Sequence, residues 1–322
     1  MQGRTGVLLV NLGTPDSPAV PDVARYLREF LTDGRVIDLS PAARWALVNL
    51  VIVPFRSAKS AHAYRSIWTA EGSPLMVHSR ALEAALRARA PMPVALAMRY
   101  GRPSIAEGLA ALGDVARIVV VPLYPQYASS TTGTALEAVY RALAARTDVP
   151  AVSVVPPFFD DPGWLDAQAA LVPRDVDHVL MSFHGLPERH VTGTPGCELS
   201  DTCCARVPPF CYRAHCVATA RALGERVGLP WSLSFQSRLG RERWLGPATE
   251  DEIARLAKAG VKRLAVACPS FVSDCLETLE EIGMRGGEVF REHGGERFVV
   301  APCVNADPAW VEALARMVQT CS

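Results

Sequence analysis

Gly6 to Pro15 reads GVLLVNLGTP and His178 to Pro187 reads HVLMSFHGLP. Each is a short apolar run that breaks at a glycine and a proline. A strand buried on both faces of a sheet leaves this mark, because helices cover both faces of a parallel sheet and no position is left for an alternating polar residue. Six further runs have the same character: Val94 to Met98, Arg117 to Val121, Ala151 to Val155, Ser232 to Gln236, Arg263 to Ala267 and Arg297 to Ala301. Longer helical patterns separate them, so the class is α/β, with parallel strands joined by helical crossovers.

The runs fall into two sets of four, and the residues after each run also correspond: VNLGTP with SFHGLP, MRYGRP with QSRLGR, VPLYPQ with ACPSFV, PPFFDD with PCVNAD. This predicts two similar domains, residues 1–158 and 159–322, with a boundary where Pro156, Pro157 and Pro162 interrupt regular structure. The length of 322 residues suits two cores of about 150 residues each. Open parallel sheets bind ligands at the carboxyl ends of their strands, and the polar residues gather there, so the site is expected in a cleft between the halves.

Composition removes several classes. The 33 basic residues cancel the 33 acidic ones, 49% of residues are hydrophobic and 20% are charged, which argues against disorder and against a basic nucleic-acid surface. The first apolar run is too short for a secretory signal. The most apolar window, Trp45 to Phe55, is well short of the roughly 20 residues that span a bilayer. A cytoplasmic protein is expected. Neither GxGxxG nor GxxxxGK[ST] occurs, so no nucleotide cofactor is indicated.

Four segments carry chemistry. Ser182 to Pro187 sets His184 at a strand end, where an imidazole can act as base or metal ligand. Ser273 to Glu281 has helical character and would stack Asp274, Glu277 and Glu281 on one face, either as a line of carboxylates for protons and hard cations or as an ordinary solvated face. Phe235 to Gly240 leads into Trp244 to Thr249, and Tyr124 to Gly133 joins aromatic surface to hydroxyls. With Met98-Arg99-Tyr100, these two stretches suit a pocket for a large flat ligand with acidic tails.

In this order, and with Val10 to Asp16 and Gly72 to Leu75, the segments resemble the ferrochelatases, which insert ferrous iron into a porphyrin. The resemblance spans nearly the whole chain and implies two Rossmann-like domains with the porphyrin between them. It implies His184 as the pyrrole proton acceptor or metal ligand, Glu277 as the active-site glutamate, and Asp274, Cys275 and Glu281 on the metal path. Cys275 stands where some members have histidine, which leaves a second metal ligand open. Arg99, Tyr100, Tyr124, Ser129, Ser130 and Trp244 correspond to porphyrin-binding positions. The expected substrates are protoporphyrin IX and ferrous iron. Coproporphyrin, cobalt or nickel insertion, or a non-catalytic haem or iron-sulfur sensor, are the alternatives. Trp45 to Phe55 resembles the family's hydrophobic lip, which implies peripheral association with the inner face of the cell membrane.

Five of the nine cysteines fall within twenty residues, Cys197, Cys203, Cys204, Cys211 and Cys216, where the family usually has a short turn. Thiols in a reducing compartment at this density suggest a metal site, and their spacing matches no common zinc or ferredoxin pattern. Some ferrochelatases hold a 2Fe-2S cluster, so the resemblance implies one here, on Cys197, Cys211, Cys216 and one of Cys203 and Cys204.

Overall fold

The computed structural model describes residues 4–238 and 242–322. Leu239 and Gly240, which close the Phe235 to Gly240 stretch, lie outside the described residues. All eight expected strands form: β1 (Thr5–Gly13), β2 (Val94–Tyr100), β3 (Arg117–Pro122), β4 (Ala151–Val154), β5 (His178–His184), β6 (Trp231–Gln236), β7 (Arg263–Ala267) and β8 (Arg297–Val300). They build two four-stranded sheets, ordered β2-β1-β3-β4 and β6-β5-β7-β8, and every pairing is parallel. In each sheet the earliest strand has neighbours on both sides, so the strand order reverses beside it. The carboxyl ends of β1 with β3, and of β5 with β7, are therefore topological switch points.

The strands are apolar because both faces are covered. Val7, Leu8, Leu9 and Val10 of β1 are fully buried, as are Val179 and Leu180 of β5. In the second sheet, Leu180, Leu264 and Val266 pack with Ile253, Leu256, Ile282 and Phe290 from the flanking helices. Helix starts follow local chemistry. Ser104 and Glu107 close a reciprocal capping box on Ile105–Ala111, and Asp161 accepts the Trp164 N–H to cap Pro162–Ala170. Where β1 ends, Gly13 has φ +118°, and a Cβ there would lie 1.8 Å from the Tyr100 carbonyl oxygen, so only glycine fits.

The chain forms two compact units. One comprises Met1–Leu123, Ser129–Pro156 and Val311–Ser322; the other comprises Tyr124–Ala128 and Pro157–Trp310. The second unit thus includes a short segment from late in the first half of the sequence. Side chains explain that assignment: Gln126 Nε2 donates to Thr219 Oγ1 at 3.1 Å and to the Pro269 carbonyl at 3.2 Å, and the Tyr127 N–H donates to His215 Nδ1 at 3.2 Å. Along with β5, this unit carries the histidine, the carboxylates and the cysteine-rich insert.

Candidate active site

β5 ends at His184, at the switch point of the second sheet. The ring is half-buried, and its Nδ1 lies 2.7 Å from the Gly185 carbonyl. A carbonyl can only accept, so Nδ1 is the donor, and Nε2 is the ring nitrogen that this bond leaves unengaged. Phe271 meets the ring edge-on at 6.2 Å. The next residue must be glycine, since a Cβ on Gly185 would come within 2.6 Å of the Gln236 carbonyl oxygen and 3.2 Å of the Trp244 ring. That close approach lets the half-buried Trp244 dock on the histidine turn, where it pairs with Pro187 and where the Leu245 N–H donates to the Leu186 carbonyl at 2.9 Å.

The carboxylates divide into two kinds. The expected helix starts only at Leu276, and from Glu277 to Gly286 it is a π-helix. Asp274 therefore precedes the helix and does not continue its acidic face. It is buried, and its carboxylate accepts from Asn305 Nδ2 at 2.8 Å, Thr278 Oγ1 at 3.1 Å and the Cys303 N–H at 3.3 Å. The bonds hold the loop before the helix and occupy both oxygens, which an α-helical spacing argument could not anticipate. Glu281 accepts from the Ser237 N–H and hydroxyl, each at 2.7 Å. Glu277 is half-buried at the first position of the π-helix, and its carbonyl accepts from Gln236 Nε2 at 3.2 Å. Cys275 is buried, and burial together with the neighbouring Glu277 carboxylate pushes its thiol well above the usual range, so it stays a protonated thiol at neutral pH.

Two residues without a place among the expected site groups tie these features together. The Gln236 backbone carbonyl accepts the Gly185 N–H at 2.8 Å while its side chain holds Glu277. Ser182 Oγ donates to Gln236 Oε1 at 2.7 Å and fixes that amide. Ser237, at φ +66°, turns the chain so that its N–H and hydroxyl both reach Glu281. The sequence signal was present, since both lie in the Phe235 to Gly240 stretch at a strand end.

In the first unit, Arg99 and Tyr100 converge on a residue the sequence reading passed over. Asp33 accepts from Arg99 Nη2 at 2.5 Å, from the Tyr100 hydroxyl at 2.9 Å and from the Thr134 hydroxyl. Burial alone would raise the Asp33 carboxyl, but these donors, the Arg35 N–H and the Arg99 charge outweigh it and hold the group below its usual range. The Tyr100 side chain is fully buried, whereas Arg99 also lines a hollow of about 290 Å³ with Glu137 and Arg141. Ser129 is exposed and accepts from Arg35 Nη1 at 2.9 Å, and Ser130 is half-buried. Tyr124, in the second unit, is buried.

The insert runs from the short helix Glu188–Thr192 to the long helix Tyr212–Val227, with Cys203 and Cys204 on the turn Asp201–Cys204 between them. Cys197 is half-buried and the other four are buried. The thiols lie close enough to act on one another: Cys211 feels Cys197 and Cys203, and Cys216 feels Cys211 and Cys204. Arg213 Nη1 donates to Cys204 Sγ at 2.8 Å. A backbone N–H bond at Glu198 leads the influences that bring the Cys203 thiol down to about 7, while burial pushes Cys204 up to about 11. Four of the five thiols are thus held in the protein interior. Among the described residues, however, no three histidine, cysteine, aspartate or glutamate side chains form a ready-made ion site.

Residues 4–321 match the family model described as Ferrochelatase. A ferrochelatase of Pseudomonas fluorescens is 50% identical over 331 residues, covering 97% of each chain. One of Pseudomonas aeruginosa is also 50% identical, covering 98% of this chain and 97% of its own. Among solved structures, the sirohydrochlorin chelatase SirB of Bacillus subtilis subspecies spizizenii, in complex with cobalt, superposes with a TM-score of 0.56 at 13% identity, over 98% of this chain and 94% of the other. That likeness is one of fold. With a family model matched along almost its full length and relatives at half identity, this chain belongs to the ferrochelatase family.

Proposed function

We infer that this ferrochelatase inserts ferrous iron into protoporphyrin IX, the step that yields haem. The observation that carries the catalytic reading is the contact of His184 Nδ1 with the Gly185 carbonyl, which fixes the ring and leaves Nε2 as the nitrogen that can act as base. Insertion forms four iron–nitrogen bonds and releases two pyrrole protons. His184 Nε2 accepts the two protons in turn, passing the first to solvent before it takes the second. Glu277 exchanges with the water shell of the incoming iron, and Gln236 holds both groups, one through Gly185 and the other through the Glu277 carbonyl. Glu281, held by Ser237, continues the path. Asp274 and Cys275 support the loop that presents it. Trp244, Tyr124 and the Ser129–Ser130 hydroxyls are assigned to the porphyrin. Arg99 supplies a cation for a propionate, and Tyr100 orients Arg99 through their shared Asp33. Anaerobic protein mixed with ferrous iron and either porphyrin should convert protoporphyrin IX to haem, followed by the Soret band, and metallate coproporphyrin III more slowly. A preference for coproporphyrin would reverse the substrate assignment.

Cys197, Cys211, Cys216 and one of Cys203 and Cys204 are proposed to hold a 2Fe-2S cluster. When bound, it would cross-link the insert, as a structural metal does.

The apolar stretch Trp45 to Phe55 is proposed as a membrane-facing lip. It lies on Pro41–Ala46, the π-helix Leu47–Ile52 and the start of Val53–Ile67. Val48 and Val53 pack inward on Leu31, while Trp45, Leu50, Val51 and Phe55 are exposed by 58%, 62%, 50% and 79%. An apolar patch of that density suits the headgroup boundary of a bilayer. No helix among the described residues is long and apolar enough to cross a membrane.

A further inference from the structure

His184 continues past the point where β5 has a full partner. On the β6 side, the register runs through His184 opposite Gln236. On the β7 side, pairing stops at Met181 opposite Ala267. The His184 N–H and carbonyl therefore have no strand to bond, and two side chains take its place. The His184 N–H donates to Ser270 Oγ at 3.1 Å, and the Tyr212 hydroxyl donates to the His184 carbonyl at 2.7 Å. Tyr212 and Ser270 are themselves 3.1 Å apart.

Proton counting fixes the remaining bond. Tyr212 has one hydroxyl proton, already given to the His184 carbonyl, so the Ser270 hydroxyl must donate to the Tyr212 oxygen. The result is a closed circuit of three hydrogen bonds in which each donor is used once. Tyr212 is the first residue of the helix that leaves the cysteine-rich insert, directly after Cys211, and Cys216 follows one turn on in the same helix.

We propose that Tyr212, acting with Ser270, is a positioning residue for His184: it replaces the missing strand partner of the His184 peptide, sets the direction of Nε2, and ties the start of the insert-bearing helix to the base. The inference rests on the reading of His184 as proton acceptor. It adds a reason for the insert to lie immediately before this helix, because any loosening of Cys211 or Cys216 is passed to the His184 backbone through one hydroxyl.

Tyr212→Phe keeps the ring and removes only the hydroxyl, and Ser270→Ala opens the same circuit from its other side. Each should lower kcat by roughly ten- to a hundredfold, the usual effect of a misdirected catalytic group, with the KM for protoporphyrin unchanged. The double variant should lose no more than the worse single one, because both break one circuit. In porphyrin-free protein the His184 imidazole proton resonance, assigned by its absence from His184→Ala, should shift or broaden in both single variants. Iron and zinc content should stay at the level of the unsubstituted protein. Unchanged kcat and an unchanged His184 resonance in Tyr212→Phe would overturn the proposal. So would losses that multiply in the double variant, or a loss that follows only the metal content. If His184→Ala turns over normally, the base assignment falls, and the His184 resonance alone then decides whether Tyr212 positions the ring.

Discussion

At the scale of single residues, burial and hydrogen bonding separate groups that the sequence presents as equals. Asp274, Glu277 and Glu281 read as three carboxylates on one helix face, yet Asp274 is enclosed by Asn305, Thr278 and Cys303 before the helix begins. Asp33, which no motif marks, gathers Arg99, Tyr100 and Thr134. Replacing it by asparagine leaves the guanidinium without its charge partner, and Asp33→Asn should cost about 1–3 kcal/mol of stability at neutral pH. The pH sign follows from its lowered carboxyl: the stabilisation is present above the ordinary aspartate range and is lost as pH falls through the lower folded value. Denaturant midpoints of the two proteins should therefore differ at pH 7 and converge toward pH 3. A constant gap would mean that the carboxylate charge does not matter there.

At the scale of elements, the strands were legible and the helices carrying chemistry were less so. Every apolar run became a strand, because burial on both faces dictates composition one residue at a time. The π-helix Glu277–Gly286 left no comparable trace, since a change of hydrogen-bond register needs no change of residue type. Likewise, the paired strand ends gave His184, but Tyr212 and Ser270 act by direction and reach, which spacing does not encode. The insert is the element with the clearest chemical test. Anaerobically purified protein should be coloured and contain about two irons and two sulfides per chain, and serine scanning of the five cysteines should leave the cluster in one variant only, from the adjacent pair. Colourless protein holding zinc would replace the cluster with a structural zinc site and leave the chelatase activity untouched.

At the scale of the whole molecule, each four-stranded sheet repeats one topology, which is why the two halves of the sequence echo one another in residue type. The net charge is zero, so the proposed attraction to a bilayer is assigned to the apolar side chains and not to an overall basic charge. Trp45→Glu with Val51→Glu should abolish sedimentation with liposomes while leaving the fold intact, because both side chains are largely exposed. Equal sedimentation of variant and parent would remove the lip. The catalytic claim is tested most directly by single-turnover insertion of ferrous iron into bound protoporphyrin, with His184→Ala beside the unsubstituted protein. The structure predicts that the variant binds protoporphyrin with unchanged affinity and metallates it at least about a hundredfold more slowly, because it removes the base and not the pocket. Metallation at the parent rate by a variant that binds protoporphyrin equally well would contradict it.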